Sequence, residues 1–331
     1  MQLNKIANKK IIVSALDWGM GHCTRLSVLI NILQQQNNDI IIFTTPEQKQ
    51  FWIEQFPNLE IQDIPPYNIR YTSKYSIINL SLQIPKIIKT IIKEYKTIKH
   101  YLKTNQVDYI ISDSRYGLKN SLCTSIIITH QVNMQLPKAL RIANKIHHIL
   151  LNRFDIIWIP DFQEDQKSLA GKLSHTINNK LLKKIDYINP LSSFEASDDK
   201  PVIDVLVILS GPNPAKSELE NKLTVFFETN LNTLNILMIN CNNEDKSFKR
   251  KFINPKQLHI LINRSKIIIS RSGYSFLMAS YQFVHTKKLI LIPTPNQYEQ
   301  IYLAEYWKWK YSVSVINEDD YLQKNLKNLL S

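Results

Sequence analysis

Short apolar runs alternate with longer helical stretches along almost the whole chain, and this alternation constrains the fold more than any other feature. Lys10–Leu16 (KIIVSAL), Asp39–Thr44 (DIIIFT), Val107–Ser112, Ser125–His130 and Asp155–Pro160 read as strands too apolar to face water on either side. Between them the spacing predicts helices over Thr24–Gln36, Pro46–Gln55, Ile84–Thr104 and Leu136–Leu151. A second series follows a polar, turn-rich stretch (Asn189–Ser193, then Ser197–Pro201) that reads as a linker. Its strands are Val202–Leu209, Asn235–Asn240, Lys266–Ser270 and Lys288–Pro293. Its helices are Ala215–Thr229, Pro255–Ser265, Tyr274–Phe283 and Gln297–Trp309, with Ser312–Ile316 and a last helix from about Asp319. Strand–helix alternation implies a mostly parallel sheet covered by helices, which binds ligands at the carboxyl ends of its strands. The expected fold class is therefore α/β, with two doubly wound, Rossmann-like domains facing a cleft. The expected boundaries are 1–190 for the first domain, 191–200 for a linker and 201–331 for the second, the last helix being free to pack back on the first domain.

Composition removes several other classes. Hydrophobic content of 44% excludes a disordered chain. A mean hydropathy of −0.21, with no sufficiently long apolar run, argues against a membrane-spanning helix. Met1–Lys5 lacks the apolar stretch of a secretory signal, and three scattered cysteines form neither a disulfide framework nor a zinc spacing. Both point to the cytoplasm. The net charge of +13 is mostly lysine spread along the chain and is joined to no nucleic-acid recognition motif, so no nucleic-acid partner is expected.

Glycine is scarce: six in 331 residues, where an average chain has about four times as many. Those that remain mark places where the backbone turns sharply or approaches another group. Gly19 and Gly21 lie in Asp17-Trp18-Gly19-Met20-Gly21-His22-Cys23-Thr24-Arg25, after the first strand and at the start of the first helix. A dinucleotide fingerprint would need a third glycine near Thr24, and a P-loop would need a Lys-Ser/Thr pair; neither is present. The loop instead holds a histidine at a strand-to-helix turn, where a neutral imidazole can take a proton from an attacking hydroxyl. A plain capping or core histidine is the alternative. Gly211 recurs after Val202–Leu209, and Gly273 in Arg271-Ser272-Gly273-Tyr274 after Lys266–Ser270. The N–H groups at such a helix start suit a diphosphate, and Arg271 is expected to add a fixed positive charge; an ordinary turn with an arginine facing solvent is the alternative. Gln297, Glu299 and Gln300 open the helix after Pro293–Asn296, where a carboxylate and amides can bind sugar or ribose hydroxyls.

These motifs, in this order and spacing, resemble the family 28 glycosyltransferases, the group that includes the GlcNAc transferase of peptidoglycan synthesis. The Gly-rich loop ending in histidine matches Gly19–His22. The family's "RSG" turn looks like Arg271–Gly273, and its Pro-x-x-x-x-[DE]-Q-type segment looks like Pro295–Gln300, which is one residue shorter. Asp113-Ser114-Arg115-Tyr116-Gly117, Thr129-His130-Gln131, Leu173-Ser174-His175 and Leu209–Pro212 further resemble an uncharacterised bacterial branch, and the likeness runs from about Lys9 to Ala304.

The resemblance implies a GT-B fold, an acceptor-side first domain and a nucleotide-sugar-binding second domain. It implies inverting transfer from a nucleotide-diphosphate sugar, with UDP as the expected nucleotide and GlcNAc a candidate sugar, and no cofactor or essential metal. The absence of an Asp-x-Asp signature agrees with that. The acceptor would be a glycan, a lipid-linked molecule or a small molecule. His22 would be the base, oriented by Asp113 or Asp17. Gly19, Gly21, Arg25 and His130 would form the acceptor-side loop, and Gly211, Arg271, Ser272, Gly273, Tyr274, Gln297, Glu299 and Gln300 the donor site. One departure matters: where relatives carry an acidic residue that binds the ribose, this chain has Ala279. A binding protein without turnover, or an epimerase or hydrolase on the same fold, therefore stays open.

Finally, Ile84–Lys103 places Ile84, Ile87, Ile88, Ile91, Ile92, Tyr95, Ile98 and Leu102 on one helical face, with Lys86, Lys89, Lys93, Lys96 and Lys103 at its flanks and back. The favoured reading is a helix whose apolar face covers the sheet. The other is a helix resting on an anionic membrane surface at the inner face of the plasma membrane.

Overall fold

The structure, a computed structural model, describes residues 3–69, 82–137, 140–176, 178–192, 194, 197, 199–230, 234–250, 255–319 and 321–330. The chain divides into two compact units, the first ending at Ser192. Residues 70–81, and several residues of the expected linker, lie outside the described residues.

The first unit is built on a parallel sheet of seven strands in the order β3-β2-β1-β4-β5-β6-β7. They are β1 (Lys10–Ala15), β2 (Asp39–Thr44), β3 (Glu60–Asp63), β4 (Tyr109–Asp113), β5 (Thr124–Ile128), β6 (Ile156–Ile159) and β7 (Ile185–Tyr187). The helices are α1 (Met20–Gln34), α2 (Pro46–Gln55), α3 (Ile84–Tyr101), α4 (Arg141–Leu151) and the short α5 (Asn179–Leu182). The isoleucine-rich strands bury both faces. Ile11, Val13 and Ala15 of β1 pack with Leu26, Leu29, Ile30 and Leu33 of α1, while Ile12 packs on the other side with Ile98 and Leu102. Strand order reverses between β1 and β4, which makes their carboxyl ends the topological switch point where such sheets take ligands. In register, Ala15 stands beside Asp113.

The second unit repeats the plan with six parallel strands in the order β10-β9-β8-β11-β12-β13. Its elements are β8 (Ile203–Ile208), α6 (Ala215–Asn230), β9 (Ile236–Ile239), β10 (Lys249–Arg250), α7 (Pro255–Asn263), β11 (Ser265–Ser270), α8 (Tyr274–Ser280), β12 (Lys288–Leu291), α9 (Tyr298–Tyr311), β13 (Ser314–Val315) and α10 (Leu322–Leu330). Ile208 pairs with Ser270, so the Gly211 and Gly273 loops leave neighbouring central strands at the same, carboxyl end of the sheet. The closing helix α10 buries Leu322 and Leu326 in the core that Leu219, Leu223 and Phe226 of α6 help to form.

The amphipathic helix departs from the favoured expectation. α3 buries Thr90, Glu94 and Ile98, yet Ile84, Ile88 and Ile92 are each about half exposed, at 49, 51 and 50%, and Tyr95 is at 36%. Only the end of the apolar stripe reaches the sheet. The helix is held instead by polar atoms. Glu94, fully buried, accepts from Arg115 Nε at 2.8 Å, Tyr67 Oη at 3.0 Å and the Gly117 N–H at 3.0 Å. Burial pushes the Glu94 carboxyl upward against the pull of Arg115 and these donors.

Candidate functional site

The first site forms where β1 gives way to α1. Gly19 precedes the helix with a φ of 110°, a conformation that L side chains rarely adopt, while a Cβ there would meet nothing within 4 Å. The glycine is required by backbone shape, not by crowding. The helix therefore starts at Met20, four residues earlier than the pattern suggested, and His22 stands in its first turn with its side chain 19% exposed.

From β4 comes Asp113, fully buried. Its Oδ1 lies 3.0 Å from His22 Nδ1. Arg25, one turn along α1, donates from Nε to Asp113 Oδ2 at 3.1 Å and from Nη2 to Oδ1 at 2.5 Å. Ser114 Oγ donates to Oδ1 at 3.2 Å. Burial alone would raise the Asp113 pKa, but Arg25 and His22 beside it hold the carboxyl well below the usual carboxylate range. Arg25 also brings Nη1 to 3.3 Å from Nδ1 of His130, which follows β5 and is itself buried. The structure thus gathers His22, Asp113, Arg25 and His130 into one network around an ionised carboxylate. An imidazole backed by a buried carboxylate is arranged to accept a proton at its outer nitrogen.

Asp17 stands apart from this network, which corrects its expected place beside His22. Its Oδ2 accepts the backbone N–H groups of Tyr67 at 2.8 Å and Asn68 at 3.4 Å, and its Oδ1 faces Arg115 Nη1 at 3.3 Å. Arg115 is fully buried and also donates to the carbonyls of Ala15 and Pro65, at 3.2 and 2.6 Å. Asp17 therefore braces the loop. Neither Arg115 nor Glu94 has a role in the sequence reading; two charged residues so far apart in sequence carry no sign that they meet in a core.

In the second unit, Gly211 has a φ of 91° and Gly273 precedes α8 with open space around its Cα. Arg271 does not face solvent. Its side chain is 1% exposed, pairs with Glu318 at 2.7 Å and donates to the carbonyls of Ile292, Pro293 and Ala215 at 3.3, 3.3 and 2.9 Å. Burial lowers its pKa despite Glu318. It ties four segments together instead of standing open to a diphosphate. Ser272 Oγ donates to the Gln300 carbonyl at 2.8 Å, and the Gln300 amide oxygen accepts the Thr294 N–H at 2.9 Å. Those two side chains join the donor-side turns to each other. Tyr274 is buried, Gln297 stands at the N-terminal boundary of α9 without a side-chain capping bond, and Glu299 is half-buried in the first turn. Ala279 lies half-buried in α8, a helix with no carboxylate. Among the described residues, no group of three or more His, Cys, Asp or Glu side chains is placed to hold a metal ion, and no helix is long and apolar enough to cross a membrane.

No family model matches the chain. A curated relative, the UDP-N-acetylglucosamine–N-acetylmuramyl-(pentapeptide) pyrophosphoryl-undecaprenol N-acetylglucosamine transferase of Borreliella afzelii (strain PKo), is 24% identical over 344 residues, covering 98% of this chain and 88% of the relative. Among solved structures, the glycosyltransferase of kitacinnamycin superposes with a TM-score of 0.66 at 11% identity, over 98% of this chain and 90% of that one. The spinosyn rhamnosyltransferase SpnG, complexed with thymidine diphosphate, gives 0.63 at 10% identity, over 96% and 88%. MurG of Acinetobacter baumannii gives 0.55 at 13% identity, over 97% and 89%. The superpositions carry the fold, and the curated relative, aligned over nearly the whole chain, carries the class of activity. The chain is a glycosyltransferase with the GT-B fold, similar over nearly its whole length to that GlcNAc transferase.

Proposed function

We propose that the chain is an inverting, metal-independent transferase that moves a sugar, with GlcNAc the first candidate, from a UDP-sugar to a hydroxyl acceptor, and that His22 is its base. The observation that carries this reading is the contact of His22 Nδ1 with the buried Asp113 at 3.0 Å. An acceptor hydroxyl gives its proton to His22 Nε2 as its oxygen bonds to the anomeric carbon. The bond from that carbon to the diphosphate breaks, and the nucleoside diphosphate leaves with the electron pair. A base so placed contributes typically 10²–10⁴-fold. The UDP choice follows the name of the curated relative. Metal independence rests on the missing Asp-x-Asp signature.

With Arg271 committed to Glu318, stabilisation of the leaving diphosphate is assigned to backbone N–H groups at the Gly211 and Gly273 turns. Glu299 is assigned to the sugar or ribose hydroxyls in place of the acidic residue that Ala279 lacks. Calorimetric titration with UDP-, GDP- and TDP-sugars, with and without chelator, tests the donor. Tight binding of a UDP-sugar that survives chelator supports the reading, and no binding by any of them overturns it. Binding without release of nucleotide, over a panel of acceptors, would identify a sugar-nucleotide-binding protein instead.

A second reading concerns where the enzyme works. The half-exposed Ile84, Ile88 and Ile92 of α3 are joined by Ile142, Ile146 and Ile149 of α4, exposed at 68, 53 and 66%. Both helices hold the same loop: Glu94 of α3 binds the Gly117 N–H, and His147 of α4 meets Tyr116 Oη at 2.8 Å. Two isoleucine edges flanked by lysines suit an anionic leaflet, with each lysine near the surface worth about 1 kcal/mol. This assigns the protein to the inner face of the plasma membrane and favours a lipid-linked acceptor. Co-sedimentation with phosphatidylglycerol vesicles at low salt, lost in an Ile88→Asp/Ile92→Asp variant, supports it; indifference to such vesicles overturns it.

A further inference from the structure

Arg25 touches both histidines of the first site, and its chemistry constrains where their protons sit. A guanidinium has five N–H donors and no acceptor. Two of these hold Asp113 in a bidentate grip, from Nε at 3.1 Å and Nη2 at 2.5 Å. A third nitrogen, Nη1, faces His130 Nδ1 at 3.3 Å. A group that can only donate requires a lone pair opposite it, so neutral His130 carries its proton on Nε2.

At His22 the requirement is reversed. Its Nδ1 lies 3.0 Å from Asp113 Oδ1, and an ionised carboxylate can only accept. Nδ1 therefore holds the proton, and Nε2 carries the lone pair. Arg25 Nη2 also stands 3.0 Å from His22 Nδ1, but it already donates to the same Asp113 oxygen at 2.5 Å, so the proton on Nδ1 is assigned to the carboxylate contact.

We infer that Arg25, together with the Asp113 it grips, sets opposite tautomers on the two imidazoles: His22 presents a bare Nε2 and His130 an Nε2–H. Arg25 is then a positioning residue that acts through both rings. One ring is kept ready to take a proton and the other to donate a hydrogen bond. The Gln131 carboxamide, whose nitrogen is placed 3.4 Å from His130 Nε2, must on this assignment turn its oxygen to that side. The catalytic meaning rests on His22 being the base; the tautomers themselves do not, and they can be read without any turnover.

The test is long-range ¹H–¹⁵N spectroscopy of the ¹⁵N-histidine-labelled protein at about pH 8, above the ordinary imidazole range. The two rings are assigned with His22→Gln and His130→Gln. The expected result is a protonated Nδ1 and bare Nε2 on His22, with the reverse on His130. In an Arg25→Met/Asp113→Asn variant, which removes both charges together and leaves neither unpaired, both rings are expected to move to averaged tautomer positions. Protonation of His130 at Nδ1 in the unaltered protein overturns the assignment. Unchanged tautomers in the double variant would show that other contacts set them. Correct tautomers without sugar transfer would remove the base reading while leaving this inference standing.

Discussion

Gly117 presses against the carbonyl oxygen of Ile91 so closely that a single added methyl would overlap it, and the Cβ of Glu94 as well. One of these atoms is backbone on α3, so the clash has no cheap relief. Gly117→Ala is expected to destabilise the protein by roughly 1–3 kcal/mol or more, as overpacking of a filled core does. Urea denaturation would measure it. A variant as stable as the parent would show that α3 gives way easily.

The two members of the proposed catalytic pair should fail in different ways. His22 is partly open, so His22→Gln is expected to lower kcat by about 10²–10⁴ while leaving stability within about 0.5 kcal/mol. Asp113 is buried and neutralises Arg25, so Asp113→Asn should cost roughly 3–5 kcal/mol of stability as well as activity. Melting curves beside rate measurements separate the two, and similar stability losses for both variants would contradict the division of labour.

Arg271 and Glu318 form a buried pair, and removing either partner alone strands a charge. Arg271→Met and Glu318→Gln are each expected to cost about 3–5 kcal/mol, and Arg271→Met/Glu318→Met clearly less than the sum. A double-mutant cycle by chemical denaturation checks this. If Arg271→Met kept full stability and lost only nucleotide affinity, its assignment as a brace would be wrong.

His147 should make stability depend on pH. Burial lowers its pKa to about 4, against an ordinary 6.5, while it sits between Tyr116 Oη and the Gln131 carbonyl. Between these values the unfolded chain binds the proton and the folded chain does not, so stability falls as pH falls from about 6.5 towards about 4. The contribution is on the order of 3 kcal/mol at neutral pH. Denaturation midpoints across that range should slope less in His147→Gln; an identical slope would remove His147 as the cause.

The strands that carry the architecture were legible because they are uninterrupted isoleucine-rich runs. β3, β7 and β10 went unread for the opposite reason: EIQD, IDY and KR are short and polar, and each lies at an edge of its sheet. The Gly19–His22 loop was readable from two glycines at a strand-to-helix turn, though the pattern put the helix start too late. Gly21, a poor helix former, stands inside the first turn. Asp113 was readable as a candidate, but the choice between it and Asp17 was not. That choice depends on Arg25 and Arg115, each of which takes one of the two aspartates. Arg271 was readable as a fixed charge at a turn, but not its burial against Glu318, which lies far away in the chain.

The polar attachment of α3 has a mechanical consequence. Apolar faces tolerate sliding, since one methyl contact replaces another with little loss. Hydrogen bonds to Glu94 do not, because Arg115, Tyr67 and the Gly117 N–H each demand a direction and a distance. The helix is thereby pinned along its axis, as a dowel is by a cross-pin. Exchange of the isoleucines on its outer edge is therefore expected to leave the helix in register.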